Sequence, residues 1–469
     1  VYVNRKECFN WKYGYSSFEA DISDFVTAGI NEIIVLVRHI SPNSRWYSGA
    51  GIYRSVWLYE NDSAYIESDS LYFTAKKQGS GWDCTVSCTV SNAVDCTLRL
   101  AVDGICSEDV EIHISDTEIT HSFTVHNVEE WSTGNPVLYR FSAALVKDGG
   151  VIDEKQCRVG FREIAFDKDK GFFLNGKQVK LHGVCLHHDL GCLGAAVNRD
   201  EIKRRLLIMK EMGVNAVRTS HNMPAVEMME LCDELGILVD SEAFDIWERS
   251  KTEYDYARFF DDWYKKDVKS WVCRDRNHPS LIMWSIGNEI YDTHVSERGY
   301  EVTKMLVDEV RKHDSRRNGF VTFGSNYLEW DNTQKCAELL DVVGYNYGER
   351  LYKKHSGKYG WKIYGSETTA GVKSRGVYHF PYSSVFLTHD DKQCSSLGNC
   401  RGGNGAETAW NVLKTDLDTE LCAGMFIWTG IDYIGEPTPY FTKNSYYGQA
   451  DTAGIKKDSF YLYQAAWTD

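Results

Sequence analysis

Three features are scarce in this 469-residue sequence, and each scarcity argues against a class of function. Lys and Arg number 52 against 67 Asp and Glu, and the resulting net charge of −15 disfavours nucleic acid or an anionic membrane as the main partner. No apolar run approaches the roughly 18 residues of a transmembrane helix. The 14 cysteines form no Cys-x-x-Cys pair and no zinc-ligand spacing, so we expect reduced, mostly buried thiols and a cytoplasmic location.

Aromatic residues, by contrast, are plentiful. They make up 13% of the chain, with 14 Trp and 28 Tyr. Aromatic rings stack on sugar faces, but they also fill the cores of β-sandwiches, so composition alone leaves both interpretations open. Apolar residues at 43% and charged residues at 25% are typical of a folded globular protein.

Short strand-like runs predict two β-domains before residue 166. Residues 1–60 alternate polar and apolar residues in runs such as NEIIVLV (31–37) and SVWLYE (55–60), which is typical of an antiparallel sandwich. Residues 61–165 contain about six further runs of this kind and indicate an immunoglobulin-like β-sandwich. Because the chain opens inside strand-like sequence, we expect the first domain to lack its leading strands.

From residue 166 to residue 469, strand-like and helix-like segments alternate. Eight strands are predicted, at 179–188, 216–221, 237–244, 281–289, 319–325, 342–347, 362–367 and 422–432. A helical candidate follows each of them except the last; in 200–213, for example, Ile202, Leu206 and Met209 share one face. Eight βα units over about 300 residues predict a (β/α)8 TIM barrel, with a doubly wound open sheet as the alternative.

Polar residues collect at the carboxyl ends of these strands, where TIM barrels carry their catalytic groups. The candidates are His187, His188, Asp189, His221, Asn222, Asp245, Asn288, Glu289, Asn346, Tyr347, Glu367, Trp428 and Asp432. Two of them are glutamates at the ends of strands four and seven, an arrangement that suits a glycosidase, because two carboxyl groups must flank one glycosidic bond.

The alternation within the fourth strand predicts where its side chains point. Ile282, Trp284 and Ile286 share an apolar face that suits contact with helices. Met283, Ser285, Gly287 and Glu289 share the other face, so we expect the Glu289 carboxyl at the mouth of the barrel.

Several ordered motifs resemble those of glycoside hydrolase family 2. GVNAVRTSHNMPAVEMMELCDELGILVDSEAFDIW (213–247) resembles the first family signature, and DRNHPSLIMWSIGNE (275–289) resembles the acid/base signature. YGSETT (364–369) resembles the nucleophile strand, and GMFIWTGIDYIGEPTPY (424–440) the eighth strand of the β-galactosidase branch. SRWYSGAGIYRSVWL (44–58) resembles the end of the jelly-roll domain. The resemblance implies a partial jelly-roll β-sandwich (1–60), an immunoglobulin-like β-sandwich (61–165) and a catalytic (β/α)8 TIM barrel (166–469).

The resemblance also implies roles for seven residues. Glu289 would be the general acid/base and Glu367 the nucleophile of a retaining mechanism with a covalent glycosyl-enzyme. Sugar contacts or support of the carboxylates fall to His187, His221, Asn288, Tyr347 and Trp428. No organic cofactor is implied; Mg²⁺ or Na⁺ assists some relatives, and a metal site at His187, His188 and Asp189 stays an alternative.

The identity of the sugar is less clear from the sequence. Glucuronidases of the family read the sugar carboxylate with an Asn-x-Lys pair, and here Ser445 and Tyr447 stand at those positions, although Lys456 and Lys457 follow. SRGVYHFP (374–381) and GEPTPY (435–440) resemble the galactosidase branch. We therefore expect hydrolysis of terminal β-D-galactosides, with a β-glucuronidase or β-galacturonidase as the first alternative and a non-catalytic carbohydrate-binding protein as the second.

A departure from the family pattern lies in the loop PNSRWYSGAG (42–51). Some galactosidases place an Asp from this loop near the sugar, whereas here Arg45 and Trp46 are present, either to bind the sugar or to support the barrel. The expected partner is a small carbohydrate rather than nucleic acid or a membrane, and a homo-oligomer stays open.

Overall fold

The structure is a computed structural model that describes residues 1–112, 117–381, 383–384, 386–387, 394–397, 399–401, 407–438, 442 and 444–468. In residues 1–60 the regular structure is a small antiparallel sheet. Its central strand, Tyr2–Val3, pairs with Lys6–Glu7 on one side and with Ile33–Ile34 on the other. Of the runs predicted as strands in this segment, NEIIVLV (31–37) forms only the strand Ile33–Ile34 and SVWLYE (55–60) forms none.

The next segment is an immunoglobulin-like sandwich of two sheets. One sheet contains Tyr65–Ile66, Tyr72–Gln78, Gly81–Ser91 and Glu118–His126, and the other contains Thr97–Val102, Cys106–Glu111, Tyr139–Lys147 and Gly150–Val159. Alternate residues of the long strand, Cys84, Val86, Cys88 and Val90, are buried in a core that both sheets share. The sequence predicted about six strands here; the last of them, placed at 157–164, is instead Gly150–Val159, and the strands at 65–66 and 106–111 were not predicted.

The cysteines of this sandwich act as small core residues. Cys84, Cys88 and Cys96 are buried among its apolar side chains. The 13 cysteines whose side chains the structure describes are all free thiols.

A small antiparallel sheet that the sequence did not predict covers the amino-terminal end of the barrel. It consists of Ile164–Asp167, Gly171–Leu174 and Lys177–Val179. Its side chains Phe166, Phe172 and Leu174 share one core with Leu181, at the start of the first barrel strand, and with Trp131 of the preceding segment. This apolar plug leaves the carboxyl-terminal end of the barrel as the open one.

Eight parallel strands close into the predicted barrel, which excludes an open doubly wound sheet. In order they are Leu181–Leu186, Ala216–Thr219, Leu238–Glu242, Leu281–Asn288, Phe320–Ser325, Val343–Asn346, Ile363–Thr368 and Cys422–Ile427. The helices that follow them are Arg199–Glu211, Val226–Leu235, Phe260–Asp275, Asp292–Val295 with Arg298–His313, Asp331–Ala337, Tyr352–Tyr359, Ala409–Leu417 and Asp458–Trp467. Within the described ranges, no helix has the length and apolar character needed to cross a membrane.

The helix after the eighth strand corrects the sequence analysis, which assigned no helical candidate there. Phe460, Tyr463 and Trp467 of Asp458–Trp467 are buried in the core between helices and strands. The Trp467 ring stacks on His182, with ring centroids 4.8 Å apart. Aromatic residues at 460, 461 and 463 favour strand as much as helix, which hid the helical pattern.

Candidate active site

The fourth barrel strand ends at the open mouth with Asn288, and Glu289 follows it. Asn288 is fully buried, whereas Glu289 is half-buried and has a left-handed backbone with φ of 45°. Both residues lie at the carboxyl end of the barrel, as predicted for catalytic groups.

Strict alternation along this strand does not hold. The register against the fifth strand shifts between Ser285 and Asn288, so that Asn288 takes the inward position that alternation assigned to Gly287. The register against the third strand also shifts, between Val239 and Asp240, and Ile282 joins Met283 in the interior core. Our prediction for Ile282 was therefore wrong. Trp284 and Ile286 pack against helices as predicted.

Glu367 lies in the seventh strand with its carboxyl group buried at the same mouth. Its Oε1 accepts a hydrogen bond from Arg218 Nη1 at 2.8 Å, and its Oε2 accepts one from the Tyr347 hydroxyl at 2.9 Å. His221 Nε2 lies 3.6 Å from Oε1. Both carboxyl oxygens are thus oriented by fixed donors.

Asn346, at the end of the sixth strand, connects the two glutamates. It pairs with Glu367 in the register of strands six and seven. Its Nδ2 donates to Glu289 Oε1 at 3.2 Å and to Asn288 Oδ1 at 2.9 Å, while its Oδ1 accepts from Ser366 Oγ at 2.7 Å. Glu289 and Glu367 therefore lie on one rim of the barrel, the first hydrogen-bonded to the Asn346 amide and the second paired with Asn346 in the neighbouring strand.

Arg218, in the second strand, forms the charged floor of this rim and is fully buried. Besides Glu367, it donates to Glu242 Oε2 at 2.5 Å, Asn288 Oδ1 at 3.0 Å and the Ser366 carbonyl at 3.1 Å. Neither Arg218 nor Glu242 was predicted as a site residue from the sequence. The signal was a charged residue inside an apolar barrel strand, because a charge at such a position must have buried partners.

His221 follows the second strand and is held between Glu242 and Trp428. Its Nδ1 is 2.6 Å from Glu242 Oε1, and its ring stacks on Trp428 with centroids 5.0 Å apart. Burial lowers the pKa of His221 well below its usual range, so the ring is neutral at pH 7. A proton on Nδ1 then leaves Nε2 as an acceptor, which faces Asn288 Nδ2 at 3.4 Å.

His187, after the first strand, stands in an aromatic wall. Its ring lies 4.0 Å from the Tyr433 ring, 5.3 Å from Trp428 and 5.4 Å from Trp46, centroid to centroid. Burial lowers the pKa of His187 well below its usual range, and both ring nitrogens are buried with no protein partner. A neutral imidazole with two unused nitrogens can donate one hydrogen bond and accept another, as sugar hydroxyls require.

All seven site residues predicted from the sequence therefore meet at the open mouth: Glu289, Glu367, His187, His221, Asn288, Tyr347 and Trp428. The electrostatics of the mouth depend on its buried charges. Burial raises the pKa of Glu367 above its usual range, and Arg218 opposes this rise. The ionised form of Glu367 therefore depends on Arg218.

Two models of one protein family match this chain. The TIM barrel domain of glycosyl hydrolases family 2 matches residues 166–372, and a further family 2 domain matches residues 64–162, together more than half of the chain. The chain belongs to glycosyl hydrolase family 2. The sandwich and barrel described above are the architecture of this family, and the mouth corresponds to the end of the barrel where TIM-barrel enzymes carry their active sites.

Family 2 relatives extend over the whole chain. The β-galactosidase BoGH2A of Bacteroides ovatus is 36% identical over 100% of this chain and 62% of its own length. A β-glucuronidase of Bacteroides fragilis is 28% identical over 100% of this chain and 70% of its length. The crystal structure of a β-glycosidase from Bacteroides vulgatus superimposes with a TM-score of 0.90 at 29% identity, over 100% of this chain and 63% of that one. The chain thus spans less than two thirds of the length of BoGH2A.

A metal site at His187, His188 and Asp189 does not fit this family 2 mouth. Asp189 accepts from the main-chain nitrogens of Gly191 and Ile434, at 3.2 and 3.3 Å, and His188 Nε2 is 3.0 Å from the Tyr47 carbonyl. Across the described residues, no group of three or more His, Cys, Asp or Glu is arranged to hold a metal ion.

The lysines near the eighth strand have other partners. Lys457 Nζ is buried and donates to Asp432 Oδ1 at 2.7 Å and to the Lys373 carbonyl at 3.0 Å, while Lys456 pairs with Glu211. Neither ammonium group is directed at Glu289 or Glu367. Of the GEPTPY motif, Pro439 and Tyr440 lie outside the described residues.

Proposed function

We propose that the protein is a retaining exo-β-galactosidase that hydrolyses terminal β-D-galactosides through a covalent glycosyl-enzyme. The observation that carries the proposal is the asymmetry of the two glutamates around Asn346. Arg218 and Tyr347 donate to the two carboxyl oxygens of Glu367, and Arg218 opposes the burial that raises the pKa of Glu367 to about 8, whereas Glu289 makes no salt bridge to the described residues and is half-buried. One carboxyl thus faces a fixed cation, while the other accepts a hydrogen bond from the Asn346 amide.

The first step forms one bond and breaks another. A carboxylate oxygen of Glu367 attacks the anomeric carbon, and the bond from that carbon to the leaving oxygen breaks as Glu289 delivers its proton to that oxygen. The product is an ester between Glu367 and the sugar. Esterification removes the charge of Glu367, so that Glu242 becomes the main counter-ion of Arg218.

The second step reverses these roles. Glu289, now ionised, takes a proton from water, the water oxygen attacks the anomeric carbon, and the ester bond breaks to return Glu367 as a carboxylate. Retaining enzymes hold the two carboxyls about 5–5.5 Å apart, and we expect the carboxyls of Glu289 and Glu367 to be held in this range.

Three observations support a neutral sugar over a uronic acid. Lys457 is buried against Asp432, and Lys456 pairs with Glu211, so neither supplies a cation for a sugar carboxylate. The positive charge of Arg45, which comes from the first segment, is balanced by Asp245 and Glu436. BoGH2A, the 36% identical relative, is a β-galactosidase. The B. fragilis relative keeps a β-glucuronidase as the second candidate.

The glycone is tested with matched nitrophenyl glycosides. We expect hydrolysis of the β-D-galactoside and much slower hydrolysis of the β-D-glucuronide and β-D-galacturonide at equal concentrations. Turnover of a uronide alone would overturn the galactosidase assignment, and turnover of none of the three would reject both candidates.

The mechanism is tested by the anomer released first and by rescue with azide. Proton NMR during hydrolysis should show the β-anomer of the sugar before mutarotation. Glu367→Gly should be inactive and, with azide, yield the α-glycosyl azide, whereas Glu289→Gly with azide should yield the β-glycosyl azide. Initial release of the α-anomer would refute a retaining mechanism, and wild-type-like turnover by Glu367→Gln would refute the role of Glu367.

We also propose that the reaction requires no organic cofactor, since two carboxyl groups and water supply all its proton transfers. The partner is a small carbohydrate rather than nucleic acid or a membrane surface. Free thiols across the described residues support a reducing compartment such as the cytoplasm.

A further inference from the structure

The loop at residues 42–51 carries side chains from the first segment into the barrel mouth. Its main chain is joined to the barrel where Trp46 bridges Gly435 and where Tyr47 N donates to the Ile434 carbonyl at 3.0 Å. Gly435 has φ of 85°, and a Cβ there would lie 2.4 Å from Tyr47 N, so the approach requires glycine. Arg45 is therefore held at a fixed position relative to the barrel.

Arg45 and Asp245 meet at this position as an incompletely satisfied pair. Arg45 Nη2 donates to Asp245 Oδ1 at 3.1 Å, and Nη1 lies 3.5 Å from Glu436 Oε1, but Nε is buried and has no partner. Asp245 Oδ1 also accepts from Lys251 at 2.8 Å and from Asn288 at 3.0 Å. Asp245 Oδ2, like Arg45 Nε, is buried without a partner.

A buried donor and a buried acceptor that both lack a partner are unfavourable in a protein interior unless a ligand satisfies them. The pair borders the site already described, because Asp245 shares Asn288 with the catalytic rim. The neighbouring Trp46 ring lies 5.6 Å from His221 and 5.4 Å from His187. Arg45 Nε and Asp245 Oδ2 thus lie in the part of the mouth that contains Asn288 and the Trp46 ring.

We propose that Arg45 and Asp245 bind one hydroxyl of the glycone and that Arg45 is a specificity-determining residue; this inference rests on the proposed function. A hydroxyl can accept from Arg45 Nε and donate to Asp245 Oδ2 at the same time. A sugar carboxylate has no proton to donate to Asp245 Oδ2, so it could use only the Arg45 half of the pair. The pair therefore selects a neutral glycone hydroxyl over an anionic group.

The test combines one substitution with removal of one substrate hydroxyl at a time. We compare wild type and Arg45→Met on 4-nitrophenyl β-D-galactoside and on its 2-, 3-, 4- and 6-deoxy analogues. Loss of a hydrogen bond to a charged group should lower kcat/KM of Arg45→Met by about 10- to 100-fold on the parent substrate. On the single analogue that lacks the contacted hydroxyl, wild type and variant should have the same kcat/KM. Asp245→Asn should single out that same analogue.

The matched control is Arg54→Met. Arg54 lies in the same segment but donates to the main-chain carbonyls of Tyr15, Met223 and Pro224, so any loss it causes should be equal across the whole panel. An equal loss for Arg45→Met on the parent and on every analogue would overturn the inference and make Arg45 only a tie between segments. If Arg45→Met does not fold, Arg45→Lys, which lacks the Nε donor, is judged by the same criterion. Wild-type activity on uronides alone would instead overturn the proposed function.

Discussion

Replacement of Arg218 by methionine is the most informative perturbation of this site. The guanidinium contacts Glu367 and Glu242 at 2.8 and 2.5 Å, and it is fully buried. Methionine preserves much of the volume but removes the positive charge. We expect the ionised form of Glu367 to lose its main support, since Arg218 is the cation that holds the pKa of Glu367 down against burial.

The size of the effect follows from the distances. Opposite charges about 4 Å apart attract by about 4 kcal/mol at an effective dielectric constant of about 20. A tenfold change in the ionised fraction corresponds to about 1.4 kcal/mol. With part of the attraction replaced by the hydrogen bond from Tyr347, kcat/KM at pH 7 should fall by roughly 100- to 1000-fold. Unpairing of buried carboxylates also lowers the free energy of unfolding by about 3–5 kcal/mol.

The pH profile separates this electrostatic role from mere loss of structure. Because the substitution raises the pKa of Glu367, the acid limb of kcat/KM should move to higher pH and activity should recover in part as the pH rises. Profiles are recorded below the melting temperature of each variant. The control is Arg162→Met, whose guanidinium donates to the main-chain carbonyls of Pro279, Leu281 and Asn318 at the other end of the barrel. If the acid limb of kcat/KM lies at the same pH in wild type and in Arg218→Met, Arg218 does not control the ionisation of Glu367.

Two further substitutions test single contacts. Tyr347→Phe removes the hydroxyl that donates to Glu367 Oε2 at 2.9 Å, so kcat/KM should fall about 10- to 100-fold with a nearly unchanged melting temperature; unchanged kinetics would contradict this. Burial raises the pKa of Asp240 to about 7, so the folded state retains a proton that the unfolded state loses near pH 4, and stability falls as the pH rises from about 4 to 7. In Asp240→Asn this fall in the free energy of unfolding between pH 4 and 7 should be smaller by up to about 4 kcal/mol. The measurement is urea unfolding at each pH. The same fall in wild type and variant would show that Asp240 is ionised when buried.

Much of the fold was predictable because local patterns agree with the global architecture. Alternation marked the sandwich strands, and the repeated change from strand-like to helix-like periodicity marked the eight barrel strands. Two elements were not predictable. The plug at 164–179 is built from very short strands, and the helix Asp458–Trp467 is rich in aromatic residues that suit either structure.

Some residues of the candidate active site were predictable from the sequence and others were not. Residues at strand ends, such as Glu289 and Glu367, follow from the rule that barrel mouths form at carboxyl ends. Arg218 and Glu242 lie within strands, and only their mutual distance shows that they form the floor. The inward turn of Asn288 depends on a register shift, which no periodicity reveals. Contacts between residues distant in sequence, such as Arg45 and Asp245, also require the assembled structure.

The bridge from Trp46 to Gly435 affects when, during synthesis and folding, the protein becomes able to bind a sugar. Trp46 precedes the sandwich and Gly435 follows the eighth barrel strand, and a contact with so large a sequence separation forms late because the intervening chain must first become ordered. The wall that contains Trp46 and His187 is therefore completed only after the eighth barrel strand has left the ribosome. Nascent chains that have already formed most of the barrel should still be unable to recognise a sugar.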